Sequence, residues 1–264
     1  MTALAAVAEG SGVRIAYDEA GAGPPLVLVH GLGCARWGWE PVVEPLAARF
    51  RVVTLDNRGI GASEVPRGPY TTRAMAEDVV SVLDAADIER AHVVGTSLGG
   101  MVAQELALGW PERVDRLVLV CTTPGGPTAF PLPERTLALM AEAPALAPEV
   151  ALRRFVENAL APDVNPAVVE RVYAFRLAHP PDPVGWQAQA AAGAAHDAWD
   201  RLSDVEAPTL VVHGTADVVV DHRNAALLAA QIPDARLRLL HAAGHLLFWE
   251  RPGEFVALVE EFLR

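Results

Sequence analysis

The sequence predicts an α/β fold on three observations: short apolar runs of strand type recur along the chain, they are apolar throughout rather than alternating, and amphipathic helical stretches separate several of them. Continuous runs of this kind suit strands buried on both faces, which means a mostly parallel central sheet with helices on both faces. In chain order, an extended start at Val13 to Asp18 leads to the turn cluster Gly21-Ala22-Gly23-Pro24-Pro25, which feeds the run Leu26 to Val29. Further runs lie at Arg51 to Leu55, Ala91 to Val94, Arg116 to Val120, Thr209 to Val212 and Leu237 to Leu240. Residues 72–86 place Met75, Val79, Val82, Leu83 and Ala86 on one helical stripe, with Asp78, Asp84 and Asp87 expected to point away from it.

The alternation stops between 125 and 202. No strand-like run occurs there, and helix-forming segments such as Glu149 to Leu160 and Ala167 to Ala178 take over. Ordinary connections are far shorter, so 125–202 is expected to be a helical cap inserted into a core made of 1–124 and 203–264. Its aromatic residues Phe130, Phe155, Tyr173, Phe175, Trp186 and Trp199 offer material for lining an apolar pocket that takes an uncharged, moderately hydrophobic group, although for any one of them packing is the stronger reading.

At 264 residues the chain is near the upper limit for one hydrophobic core. Hydrophobic residues make up 52%, yet no run approaches the roughly 18 to 20 apolar residues that cross a bilayer, so no membrane partner is expected. The opening stretch, residues 1–10, has no basic residue and is short for a signal peptide, which leads to a cytoplasmic expectation. The net charge of −12 argues against nucleic acid, whose phosphates call for clustered Lys and Arg. Cys34 and Cys121 form neither a CxxC pair nor a disulfide framework and are expected to be buried or near-site thiols without a chemical task.

Chemistry concentrates in a few loops. Gly95-Thr96-Ser97-Leu98-Gly99 is a G-x-S-x-G between an apolar strand and the helical pattern that starts at Met101, the context a nucleophile elbow requires. The tight turn needs small neighbours, and it lifts the Ser97 hydroxyl beyond the carboxyl edge of the sheet, above a helix N-terminus. A serine attacks only when a base takes its proton, and the base needs an acid to orient it. His245 follows the last strand in a glycine-containing loop; its rival His241 stands at the strand end and is expected to pack. His213 and His222 read as structural or exposed. A metal pair from His241 and His245 lacks a helical presentation, so no metal is expected. Asp217, just past Leu210-Val211-Val212, is the expected acid. Asp221 is the runner-up, with a capping role as its other explanation. The loop after Arg116 to Val120 holds no carboxylate. Acyl transfer also calls for oxyanion donors, and the backbone N–H groups of Leu98 and of Leu32, in His30-Gly31-Leu32-Gly33, are the candidates.

Taken together, HGLG at 30–33, DNRGIGAS at 56–63, GTSLGG at 95–100, HGTAD at 213–217 and GH at 244–245 resemble the α/β-hydrolase superfamily. The similarity is greatest to bacterial esterases and 3-oxoadipate enol-lactonase-like hydrolases. It implies an α/β-hydrolase fold with a helical cap after the sixth strand, no cofactor, a triad of Ser97, Asp217 and His245, and a small-molecule ester, lactone or related carbonyl substrate. Carbon–carbon bond hydrolases and cofactor-free haloperoxidases or perhydrolases share this machinery, and a non-catalytic ligand-binding member of the fold is the alternative from another class. Residues 125–202 carry no family-specific match.

Overall fold

In the computed structural model, which describes residues 6–9 and 12–264, the strands are β1 (Ala6–Glu9), β2 (Arg14–Ala20), β3 (Pro25–Val29), β4 (Arg51–Leu55), β5 (Ala91–Thr96), β6 (Val114–Val120), β7 (Thr209–Gly214) and β8 (Ala235–Leu240), and all but β1 fall on the extended start or the runs of the sequence. Among the described residues the helices are α1 (Glu40–Ala47), α2 (Thr72–Ala85), α3 (Leu98–Gly109), α4 (Glu134–Glu142), α5 (Pro148–Asn158), α6 (Pro166–Ala178), α7 (Pro183–Ala194), α8 (Arg223–Gln231), α9 (Leu247–Glu250) and α10 (Pro252–Phe262). Of the opening stretch only 6–9 are described, and the expectation built on residues 1–10 otherwise lies outside the described residues. No helix of the described residues is long and apolar enough to cross a membrane.

One sheet takes the order β1-β2-β4-β3-β5-β6-β7-β8. Strands from β4 to β8 in that order pair in parallel, while β2 pairs antiparallel with both β1 and β4. The central runs are mainly apolar because both faces are covered. Along β3, Val27 and Val29 enter the cluster with Met75, Val79 and Val82 of α2 and Leu106 of α3. Leu26 and Leu28 face the other way, into the cluster with Val42 and Leu46 of α1 and Phe255 and Val259 of α10. Each such side chain contributes roughly 1.5–3 kcal/mol relative to exposure.

Two expectations meet corrections here, and one strand was not foreseen. Strand β1 gave no signal, since only Ala8 of its four residues is buried and an edge strand needs no apolar run. The run Leu237 to Leu240 forms the opposite edge, where Leu240 alone is buried, so it is not covered on both faces. Asp78 points into the core rather than away: its carboxylate accepts from Arg58 Nε at 2.6 Å and Nη2 at 2.8 Å, a bidentate pair that offsets the cost of burial.

Four helices, α4 to α7, fill the interval between β6 and β7 and contact the loops at the carboxyl edge of the sheet. Gln189 reaches Gly33 and Arg58, Thr136 donates to the Val218 carbonyl, and the Phe130 backbone pairs with the Asn224 side chain.

Of the buried histidines, His30 and His196 carry large downward shifts, and burial lowers His92 of β5 as well. His30 lies between the rings of Trp39 and Phe248, and His196 meets Thr72 Oγ1 through Nδ1 at 3.0 Å. Burial is the largest cause of their shifts: it pushes His30 down to about 3, with the charges of Arg176 and His245 acting in the same direction, and His196 down to about 4 against the pull of Glu105. On unfolding both regain an ordinary value near 6.5. Below that pH the unfolded chain therefore binds protons that the folded chain does not. Stability is expected to be full above about pH 7 and to fall as the pH drops from about 6.5 toward 4, by up to about 1.4 kcal/mol per pH unit for each histidine. Urea unfolding at stepped pH measures this slope. His196→Gln should make it shallower by one histidine's share, and an unchanged slope would contradict the assignment.

Candidate active site

Ser97 joins β5 to α3 with φ 54° and ψ −122°. A non-glycine residue held there costs about 1–3 kcal/mol unless its surroundings determine it. Its N–H donates to the Val120 carbonyl at 2.9 Å, and its own carbonyl accepts from Thr122 Oγ1 at 2.7 Å and from the Gly100 N–H at 2.9 Å. The turn is also closed sterically, since a Cβ on Gly99 would overlap the Val29 carbonyl oxygen of β3.

Sheet register brings the neighbouring loop alongside. Val29 pairs with Gly95, so residues 30–33 leave the sheet next to the serine turn. A Cβ on Gly31 would lie 2.9 Å from Ser97 Cβ, which leaves room for backbone alone. Leu32 follows, half-buried, and Gly33 has φ 65°. Leu98 opens α3, where an amide N–H has no intrahelical acceptor.

Asp217 and His245 come from the loops after β7 and β8, and both are buried. His245 Nδ1 is 2.7 Å from Asp217 Oδ2, which leaves Nε2 free to take a proton when Nδ1 carries one. Asp217 Oδ2 also meets His213 Nε2 at 3.0 Å, while Oδ1 accepts from the N–H groups of Val219 at 2.7 Å and Val220 at 3.0 Å. Burial opposes ionisation of this carboxyl, but the charge of His245 and the hydrogen bonds from both histidines outweigh it, so Asp217 titrates well below the usual carboxylate range. Ser97 and the Asp217–His245 pair share one edge of the sheet. Among the described residues no hydrogen bond joins Ser97 Oγ to His245, and such bonds are often long before substrate binds.

The other candidates separate. His241 is exposed rather than packed, with its carbonyl accepting from Arg251. Asp221 accepts the Arg223 N–H at 2.9 Å and pairs with the Arg223 side chain at the start of α8, in line with its capping explanation. His213, read from sequence as structural or exposed, is fully buried and is the second imidazole on Asp217. Its spacing of four residues from Asp217 was the available signal.

Cys121, His213 and Asp217 bring one donor atom each within 4.8 Å of one another. The set does not fit a metal ion, because four donors already occupy the Asp217 oxygens and burial pushes the Cys121 thiol well above its ordinary pKa, with the Asp217 charge adding to the rise. Burial likewise raises Cys34 to about 11, so both thiols stay protonated.

The loop carrying His245 is docked on the segment that follows α5. Glu250 accepts from the Gly244 N–H with both oxygens, at 3.2 and 3.0 Å, and from the Ala161 N–H at 2.8 Å, while the Leu246 N–H donates to the Ala159 carbonyl at 3.0 Å. A Cβ on Gly244 would lie 2.5 Å from Ala161 N, so the two backbones meet directly. Nothing local in the sequence announced Glu250, whose partners lie far from it along the chain or are plain backbone.

A strained serine at a strand-to-helix turn, on the same sheet edge as a buried Asp–His pair, is the arrangement of an α/β hydrolase, and the family described as alpha/beta hydrolase fold matches residues 24–252. The chain belongs to that family. It is 28% identical to the enol-lactonase of Burkholderia xenovorans LB400, with a TM-score of 0.86 over 98% of this chain and 99% of that one. It is 34% identical to Est816, described as an N-acyl homoserine lactone degrading enzyme, with a TM-score of 0.84 over 97% of this chain and 100% of that one. A 2-hydroxy-6-oxo-6-phenylhexa-2,4-dienoate hydrolase of Comamonas testosteroni is 32% identical over 268 residues, covering 95% of this chain and 91% of the relative.

Replacing Glu250 tests the docking of the His245 loop. Glu250→Ala leaves the Gly244 and Ala161 N–H groups without their acceptor and is expected to cost about 1–3 kcal/mol in urea unfolding. Glu250→Gln keeps one acceptor oxygen and should cost less than half as much. Equal losses for the two variants would mean that packing, not hydrogen bonding, holds the loop.

Proposed function

We propose that the protein is a serine hydrolase that cleaves a carboxylic ester or lactone through an acyl-enzyme on Ser97. The observation that carries this reading is the positive φ of Ser97, held by hydrogen bonds from three directions, beside an ionised Asp217 that binds His245. The choice of ester or lactone is supported by two relatives, matched over nearly their whole length, that are described as acting on lactones. Residues 125–202 would serve as a cap over the site, on a core formed by 1–124 and 203–264.

In the first step Ser97 Oγ attacks the carbonyl carbon while His245 Nε2 takes the hydroxyl proton. Asp217 stays ionised and stabilises the imidazolium through Nδ1. The tetrahedral oxyanion is received by the N–H groups of Leu32 and Leu98. The intermediate collapses, His245 returns the proton to the leaving alkoxide, and an acyl ester remains on Ser97; in a lactone the released alcohol stays attached to the acyl chain. Water then attacks this ester with His245 as base, the acid departs, and the Ser97 hydroxyl is restored. The N–H group of Leu98 also opens α3, whose N-terminal dipole favours the developing negative charge.

Ser97→Ala is expected to fold normally and to lose hydrolysis of p-nitrophenyl acetate by several orders of magnitude. His245→Ala should be similarly damaging, while the exposed His241→Ala should stay near wild type. A fluorophosphonate probe should label the wild-type protein stoichiometrically at Ser97, as mapped by peptide mass spectrometry, and should leave Ser97→Ala unlabelled. A folded wild-type sample that resists the probe, beside a control esterase that reacts, would turn the assignment toward a ligand-binding member of the fold.

A further inference from the structure

Helix α7 packs against Leu98 and against Gly33, the neighbour of Leu32, so it meets the surroundings of both proposed oxyanion donors. Along α7, Gly185, Gln189 and Gly193 recur at intervals of four and so share a face. A Cβ on Gly185 would overlap the Gly59 carbonyl, and one on Gly193 would fall 3.2 Å from Leu98 Cδ1. Between them Gln189 is fully buried: its Oε1 accepts the Gly33 N–H at 3.1 Å and its Nε2 donates to the Arg58 carbonyl at 2.7 Å. Arg58 is itself held by Asp78, so the far end of this bridge is fixed. The other polar group of Gly33 is also taken, since its carbonyl accepts from Arg176 Nη1 of α6 at 2.8 Å. Next to Gln189, Trp186 lies over Gly33, where an added Cβ would come 2.6 Å from its Cδ1.

Gly33 has φ 65° and immediately follows Leu32. The Gly33 N–H and C=O are both held, and in the peptide that carries the Leu32 N–H the Gly31 carbonyl accepts from the Cys34 N–H at 3.3 Å, so the turn around Leu32 is tied on both sides. Productive geometry has to be kept within about 0.5 Å and 10–20°, and a loop containing Gly31 and Gly33 does not supply that stiffness alone. We propose that α7 is the template that fixes the oxyanion donors relative to each other, with Gln189 as a positioning residue acting through Gly33. The inference rests on the serine hydrolase reading above. Its consequence is that the oxyanion site is complete only while α6 and α7 are seated on the sheet edge.

Gln189→Met keeps the side chain's length and removes both hydrogen bonds, and Gln189 itself, being fully buried, does not contact substrate. With p-nitrophenyl acetate, kcat/KM is expected to fall about tenfold to a hundredfold, carried by kcat, with KM moving less than about threefold. The affinity for phenylboronic acid, which forms a tetrahedral adduct on a reactive serine, should fall in parallel with kcat/KM. Arg176→Met, at a half-buried position, should give the same signature at smaller size, and it decides the matter if Gln189→Met does not fold. A folded variant with wild-type kcat and boronate affinity, or one in which KM alone changes, overturns the template role. A wild-type protein that takes no boronate overturns the serine hydrolase reading itself, which separates the two failures.

Discussion

The structure depends on one strained backbone conformation. Ser97 stands at φ 54°, and that turn is stable only because β3, β5 and β6 end at a common level around it. The Val120 carbonyl and the Thr122 hydroxyl come from the end of β6, and the Val29 carbonyl that excludes a side chain at residue 99 comes from the end of β3. Parallel pairing makes this convergence possible. Every parallel strand delivers its following loop to the same edge, so residues distant in sequence arrive within reach of one another.

A second demand is the buried carboxylate of Asp217. An ion taken out of water has to be repaid in hydrogen bonds, and this one receives four: two from backbone N–H groups of its own loop and two from imidazoles on either side. His213 and Cys121 lie on the side away from solvent, and Glu250 adds negative charge nearby. Burial raises the pKa of Glu250 while its backbone hydrogen bonds and Arg251 oppose the rise. The polar interior at this edge is thus a chain of fixed partners from β6, β7 and α9.

What the sequence disclosed follows the same physics. Interior strands were legible because burial on both faces forces mainly apolar runs; β1 was not, because an edge relaxes that requirement, whereas the other edge strand, β8, still showed as the run Leu237 to Leu240 although Leu240 alone of it is buried. Ser97, Asp217 and His245 stood out through glycine-rich turns after strands, which are local features, and the structure brings Asp217 and His245 into hydrogen-bond contact. Asp78, Gln189 and Glu250 were hidden for the opposite reason. Each is a polar residue whose partner is distant in sequence or is an ordinary peptide group, so neither periodicity nor spacing carries the information. The aromatic residues of 125–202 were read as one pocket lining, yet Tyr173 lies under Arg153, Phe130 under Arg223, and Phe175 stacks on Trp37. Composition alone does not say which face of a helix meets which neighbour.

The meeting of Gly244 with residues 160 and 161 bears on how such proteins diversify. Helical insertions are often pictured as exchangeable modules set on a constant scaffold. Here the segment that ends α5 touches the backbone of the histidine loop, and a single carboxylate from α9 binds both. A graft of another insertion would have to reproduce that short crossing, including a free N–H at 161 and a residue without a side chain at 244. The helices between β6 and β7 are coupled to the histidine loop at this joint, and recombination between relatives is expected to succeed or fail there more than at the ends of β6 and β7.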